Sequence, residues 1–315
     1  MNPQPTALEV HHLHKAFGNL KAVQGATFTV QQGEIFSLLG PNGAGKSTTI
    51  SILAGLLDAT SGEARIMGHS LTTAPEAAKA SLGVVPQDIA LYPDLSAREN
   101  LVFWGKMYNL RGAALQKRVD EILDLIGLAD RQKDPIGKYS GGMKRRVNIG
   151  AALLHQPKVI IMDEPTVGID PQSRRHILDS VKDLNQQGMT VLYTTHYMEE
   201  AAELSHHIAI MDQGKIIACG THDELIQLVG HQTQIDLTLD VEAEKVVPSW
   251  QQVEGVSNVV AENGHVTILV DDSNRVLPRL FDAANLLGAR ITSVNIQEPN
   301  LEMVFLHLTG RALRD

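Results

Sequence analysis

The nine residues Gly40-Pro41-Asn42-Gly43-Ala44-Gly45-Lys46-Ser47-Thr48 constrain this chain more than any other segment. Glycines at 40, 43 and 45 let a backbone wrap tightly with its N–H groups turned inward, a concavity that suits phosphate oxygens. The lysine that follows reaches β- and γ-phosphates, and Ser47 offers its hydroxyl to Mg²⁺. Ahead of the loop, Ile35–Leu39 is a short apolar run of strand type. Behind it, Ser47–Leu57 is predicted as a helix whose N-terminus faces the anion. Strand, glycine loop and helix in that order predict a P-loop nucleoside-triphosphate site in an α/β fold.

A second segment completes the first. Val159-Ile160-Ile161-Met162-Asp163-Glu164 is an apolar strand ending in two carboxylates. Asp163 is placed to hold Mg²⁺ through water as the acid of a Walker B strand. Glu164, one residue beyond the strand end, is the better candidate for general base or water-positioning group.

Composition bounds the rest. At 315 residues the chain is long enough for one large domain or two ordinary ones, and its 43% apolar and 20% charged content is ordinary for globular proteins. No apolar run approaches the ~20 residues of a membrane span, and Met1–Pro5 lacks the basic and apolar stretches of a secretory signal. These features predict a soluble cytosolic protein. A single cysteine, Cys219, allows no internal disulfide and fits a small apolar strand residue. Net charge is −9, with 12 acidic and 6 basic residues in 229–315. That balance predicts no nucleic-acid partner and disfavours docking on anionic lipid. His11, His12 and His14 show no metal-ligand pattern with cysteine.

Unbroken Val/Ile/Leu runs across residues 1–228 predict a sheet buried on both faces, as in doubly wound α/β folds. Strands are expected at Leu8–Phe17, Ala26–Gln31, Glu34–Leu39, Ala64–Met67, Gly83–Pro86, Val159–Met162, Val191–Thr195, Ile208–Met211 and Ile216–Ala218. Apolar residues at helical spacing between Ala97 and Gly127 predict a helical insertion, placed at about 88–139. Beyond residue 228 the pattern changes. Gln234–Val241, Val256–Ala261, His265–Val270 and Arg290–Ile296 read as strands, with a hairpin turn at Asn263-Gly264. Glu244–Val253 and Ser273–Leu287 read as helices. The order β-α-β-β-α-β predicts a ferredoxin-like α+β domain over 229–315, with a last helix at Leu301–Leu308.

Further segments narrow the class. Tyr139-Ser140-Gly141-Gly142-Met143 resembles the LSGGQ signature of ABC transporter ATPases. Gln87 in Val85-Pro86-Gln87-Asp88 resembles their Q-loop glutamine, and His196 in Tyr193-Thr194-Thr195-His196 their switch histidine. Val167-Gly168-Ile169-Asp170 resembles their D-loop, and Phe17 stands where the family stacks an aromatic on adenine. All occur in family order over roughly residues 6–228. Tyr139 and Met143 depart from the consensus ends of the signature, and the ending Asn300–Gly310 resembles the C-terminal tail of the daunorubicin-type, polysaccharide and lipid exporter branch. Met303 stands there where an acid is commoner. Ser140 is also predicted, on physical grounds alone, to cap the following helix. The cations Lys144, Arg145 and Arg146 oppose the dipole of its first turn, so two of the three are expected to be solvated or salt-bridged elsewhere.

The resemblance implies an ATP-hydrolysing subunit of an exporter. ATP and Mg²⁺ are the implied cofactors, with Ser47, Gln87 and Asp163 toward the metal. ATP would be held between Gly40–Thr48 of one subunit and Tyr139–Met143 of a second, so a homodimer is expected. Glu164, His196 and Gln87 would serve hydrolysis. Separate permease subunits would bind the Ala97–Gly127 insertion and the Leu91-Tyr92-Pro93 turn, holding the chain at the cytoplasmic face of the inner or plasma membrane. Competing readings are an importer ATPase, disfavoured by the signature variant and tail, and a non-transport ABC protein. The latter usually carries two ATPase modules, a long coiled coil or zinc-binding cysteines.

Overall fold

A computed structural model of the chain describes residues 5–229, 233–262, 265–297 and 299–310. It divides into two compact units, Met1–Ala218 and Cys219–Asp315, so the division falls before the expected boundary at residue 228. Residues 222–227, ahead of the expected boundary, form a short helix within the second unit.

The first unit opens with β1 (Thr6–Phe17) and β2 (Leu20–Gln31), then β3 (Ile35–Leu39), α1 (Lys46–Leu53), β4 (Ser61–Ile66), β5 (His69–Ser70), α2 (Pro75–Ala80) and β6 (Leu82–Val85). The helices α3 (Ala97–Met107) and α4 (Gly112–Leu125) form the insertion. There follow α5 (Gly141–Leu153), β7 (Val159–Asp163), α6 (Pro171–Gln186), β8 (Thr190–Thr195), α7 (Met198–Leu204), β9 (His207–Asp212) and β10 (Lys215–Gly220). Six strands form one sheet in the order β10-β9-β3-β8-β7-β6, with β9-β3-β8-β7-β6 parallel. A separate antiparallel sheet has the order β2-β1-β4-β5.

Every residue of β3, β7 and β8 is buried, as a parallel sheet covered on both faces requires. Alternate side chains of β7 go to opposite sides. Ile160 and Met162 pack with Leu101, Val119, Val147 and Ile177 of the helical side. Val159 and Ile161 pack with Ile50 and Leu53 of α1 and with Leu8, Val10 and Phe28 of the antiparallel sheet. Each such side chain contributes about 1.5–3 kcal/mol by leaving water. The insertion starts at a full capping box, in which Ser96 and Glu99 bond each other's backbone N–H groups.

The second unit holds α8 (His222–Gln227), β11 (Thr233–Leu239), α9 (Val247–Trp250), β12 (Val256–Glu262), β13 (His265–Val270), α10 (Ser273–Leu286), β14 (Ile291–Gln297) and α11 (Leu301–Thr309). Its sheet is antiparallel in the order β12-β13-β11-β14. Ile235, Leu237, Ile268, Trp250, Val276 and Leu280 form its own core. The α8 helix packs on α11.

Several boundaries differ from expectation. The α1 helix stops at Leu53 because Gly55 adopts a φ of 66°, so Leu56 and Leu57 lie outside it. The β2 strand starts at Leu20, paired with Phe17 across a tight turn with Gly18 at φ 57°, well ahead of Ala26. The helix expected over 244–253 is a 3₁₀ turn, Ala243–Lys245, followed by the four residues of α9. Pro248 has no N–H to donate and sits where a helix can only begin. The expected turn at Asn263-Gly264 lies outside the described residues. The pair β5 and α2 had no strong periodic signal.

Candidate functional site

The loop after β3 has the backbone that its glycines promised. Gly43 and Gly45 have φ of 79° and 105°, and Gly45 is the N-cap of α1. A Cβ on Gly40 would stand 2.2 Å from the Met211 carbonyl oxygen, and one on Gly45 2.5 Å from that of Ala22. The loop is therefore pressed against β9 and β2, where only glycine fits. The Gly214 N–H donates to the Ala44 carbonyl (2.8 Å), and the Ala44 N–H to that of Pro41 (3.1 Å). Lys46 turns back over the loop, its Nζ donating to the carbonyls of Gly40 (2.7 Å) and Pro41 (3.1 Å).

The carboxylates meet this loop from the end of β7. Glu164 Oε1 lies 3.0 Å from Lys46 Nζ, with both side chains almost fully buried. Its other oxygen, Oε2, is 3.2 Å from Nδ1 of His196. Glu164 holds a φ of 42°, an uncommon left-handed backbone for a glutamate that costs about 1–3 kcal/mol. Its N–H donates to Thr194 Oγ1 at 2.9 Å, while the same hydroxyl donates to Asp163 Oδ1 at 2.6 Å. Thr194 thus sets both acids. It pairs with Asp163 across the β7–β8 ladder, and the signal for it was a hydroxyl at the end of a buried strand beside an acid-ended one. Ser47 Oγ donates to Asp163 Oδ1 at 3.4 Å.

A cleft of about 520 Å³ opens beside these groups, and Asp163, Thr194 and His196 are not among its lining residues. Phe17, Asn42, Gly43, Gly45, Lys46, Ser47, Thr48, Gln87 and Glu164 all line it. Phe17 is 49% exposed at its rim, with Lys15 Nζ 5.1 Å from its ring centroid. The Tyr139–Met143 segment is not among its lining residues. The glycine cradle, one lysine and the Ser47–Asp163 oxygen pair suit a triphosphate with Mg²⁺, a cation that takes oxygen donors and keeps several waters.

Ser140 caps α5 as expected, its Oγ accepting the Met143 N–H at 3.2 Å. Tyr139 is buried and donates its hydroxyl to the Arg131 carbonyl at 2.6 Å. Gly141 is exposed, whereas Gly142 is buried against Ser173 of α6. The cations that follow correct one expectation, because two of them bond to backbone carbonyls of neighbouring segments. Arg145 is buried and donates to the carbonyls of Pro86 (2.7 Å) and Gln87 (2.5 Å). Burial lowers its guanidinium from the ordinary value, with nearby Asp88 acting the other way. Arg146 donates to the Ile126 carbonyl at 2.9 Å, at the C-terminal end of α4, where a cation satisfies a free acceptor. Asn148 adds a bond from the Ala90 N–H at 3.3 Å. The segment around Gln87 is thus clamped from α5, a link that spacing alone did not reveal.

Asp170 caps α6 by accepting the Ser173 N–H at 2.9 Å. That bond holds its carboxyl below the ordinary range.

This geometry and the comparisons with known proteins agree. The chain belongs to the ATP-binding proteins of ABC transporters: the ABC transporter family model matches residues 23–167, over the loop, β7 and Glu164. It is 48% identical over 310 residues to the linearmycin resistance ATP-binding protein LnrL of Bacillus subtilis (strain 168), covering 98% of this chain and 100% of that one. The daunorubicin/doxorubicin resistance ATP-binding protein DrrA of Streptomyces peucetius is 35% identical over 100% of this chain and 96% of its own. The Nod factor export ATP-binding protein I of Paraburkholderia xenovorans (strain LB400) is 35% identical over 98% and 99%. A solved ATP-binding subunit of an ABC transporter matches with a TM-score of 0.65 and 32% identity over 71% of this chain and 94% of that one. An ATP-binding cassette in its ADP conformation matches with a TM-score of 0.62 and 28% identity, over 70% and 92%. The chain is an ATPase of the exporter-related group, with an inserted helical subdomain on a P-loop core. Among the described residues, no helix is long and apolar enough to cross a membrane.

Proposed function

We propose that this chain is one of two ATPase subunits that close on ATP and drive an exporter whose membrane path lies in separate permease subunits. The observation that carries the reading is the convergence of Lys46 and His196 on the two oxygens of Glu164, beside the glycine cradle. Gly40–Thr48 bind the phosphates through backbone N–H groups and Lys46. Ser47 and Asp163, with Gln87, hold Mg²⁺, which when bound neutralises charge on the β- and γ-phosphates. Phe17 packs on the base. Glu164 takes a proton from the attacking water, and His196 orients that carboxylate and contacts the γ-phosphate.

Each chain has one such loop and one Ser140–Gly142 helix start, and the latter does not line the chain's own cleft. A second subunit supplies it, most simply another copy, with Asp170 near the junction. Closure on ATP and opening after hydrolysis bias a two-state permease. The insertion and the Leu91–Pro93 turn are its docking side, which places the chain at the cytoplasmic face of the membrane. Relatives named for linearmycin and daunorubicin resistance support small toxic organic compounds as cargo. The strand order of the second unit supports a ferredoxin-like accessory domain.

Co-purification tests this reading. The tagged chain, expressed with its neighbouring membrane protein, should sediment with membranes and retain that protein in detergent. A chain that stays in the soluble fraction under those conditions contradicts the transport assignment.

A further inference from the structure

Glu200 of α7 is a carboxylate that the hydrolysis scheme does not use, and it is only 1% exposed. Three donors converge on it: Arg174 Nε at 2.6 Å, Tyr193 Oη at 2.9 Å and Thr195 Oγ1 at 2.8 Å. Burial, and then the Glu200 charge, hold the Tyr193 phenol well above its ordinary value, so it remains a donor. A buried charge pair is seldom the most stable way to fill a core, and orientation is a better-attested use for one.

Thr195, one of the groups on Glu200, directly precedes His196. Thr195 Oγ1 also accepts the Tyr197 N–H at 2.9 Å, so the turn that carries His196 is tied on both sides. The Arg174 guanidinium lies 4.2 Å from the Tyr197 ring centroid, and the Tyr197 ring lies 4.1 Å from the imidazole of His196. Arg174 stands in the first turn of α6, where its N–H donates to the Asp170 carbonyl at 2.8 Å. One cluster therefore runs from Asp170 through Arg174, Glu200, Thr195 and Tyr197 to His196 and Glu164.

We infer that Arg174 and Glu200 are positioning residues for hydrolysis, which hold the His196 imidazole against Glu164 and tie it to the start of α6. This rests on the proposed role of His196. A partner subunit that shifts the Asp170 end of α6 thereby shifts His196, so turnover follows assembly.

The test is a double-mutant cycle on steady-state ATP turnover by the full chain: wild type, Arg174→Met, His196→Ala and both together. Methionine keeps the aliphatic stem and removes the guanidinium. Arg174→Met should lower kcat about tenfold and change KM for ATP by less than about twofold. In the His196→Ala background it should cost less than about twofold more, because its route is already cut. Two losses that multiply, or an Arg174→Met enzyme with normal kcat, overturn the inference. If His196→Ala itself turns over normally, the role of His196 fails, and the inference falls with it by a separate reading. Should Arg174→Met not fold, Tyr197→Leu removes the ring between guanidinium and imidazole and runs through the same cycle with the same outcomes.

Discussion

Lys46 Nζ and Glu164 Oε1 form an ion pair of 3.0 Å, nearly buried at the floor of the cleft between the glycine loop and the end of β7. In the proposed mechanism the pair joins the group that binds phosphate to the group that activates water. On that reading a phosphate entering the loop would compete with Glu164 for Lys46, so that its binding would release the carboxylate.

Lys46→Ala removes the cation for which phosphate and Glu164 would compete, and with it the proposed phosphate contact. A charge-assisted hydrogen bond contributes about 1.5–3 kcal/mol, so ATP affinity should fall about tenfold to a hundredfold. Calorimetric titration with ATP measures it. Unchanged affinity contradicts the phosphate role of Lys46.

Gly142→Ala tests the packing of α5 on α6. The new Cβ would stand 2.1 Å from Ser173 Oγ and 2.3 Å from Ser173 Cβ. Overpacking of this kind costs about 1–3 kcal/mol. Thermal unfolding should show a lowered Tm, restored in Gly142→Ala/Ser173→Gly. A single variant as stable as the wild type contradicts the contact.

Arg145→Met leaves the carbonyls of Pro86 and Gln87 without their clamp. Amide exchange over residues 87–91 should quicken about tenfold, the effect of roughly 1.4 kcal/mol of lost local stability. Arg145→Lys should restore little, because an ammonium lacks the planar fork that reaches two acceptors. Exchange that stays at the wild-type rate contradicts the link between α5 and Gln87.

His155 gives a pH dependence. Its Nε2 bonds the Leu82 carbonyl at 2.9 Å and its ring stacks on Tyr108 at 4.0 Å. Burial depresses its pKa below the ordinary imidazole value of about 6.5. The unfolded chain then binds the proton first as pH falls, so this contribution to stability is full above about pH 6.5 and drains below it. Denaturant melts of the wild type and His155→Gln between pH 7.5 and about pH 5 should converge as the pH drops. Parallel curves contradict the assignment.

The candidate nucleotide site was legible in the sequence because its parts are local. A glycine loop needs adjacent residues, and a strand ending in Asp163 and Glu164 announces itself by hydrophobicity. The cap at Ser140 follows from residue type alone. What escaped was non-local. Arg145 reads as an ill-placed cation in a first turn until Pro86 and Gln87 are found beside it. Glu200 looks like one acid in an exposed Glu199-Glu200 pair, yet Glu199 is exposed and Glu200 sits under Arg174. Thr194 became visible only once β7 and β8 were in register. The boundary drawn after residue 228 followed a change in strand pattern, whereas α8 is held by its packing on α11, which no periodicity reports.

Turnover by Glu164→Gln, measured with ATP binding on the same preparation, tests the central claim most directly. Glutamine keeps the size of the side chain and removes the base. Steady-state hydrolysis should drop about a hundredfold or more, the range for loss of a general base. ATP should still bind within a few-fold of wild type, and ATP-dependent dimers should accumulate in gel filtration. Near-normal hydrolysis by Glu164→Gln contradicts the account.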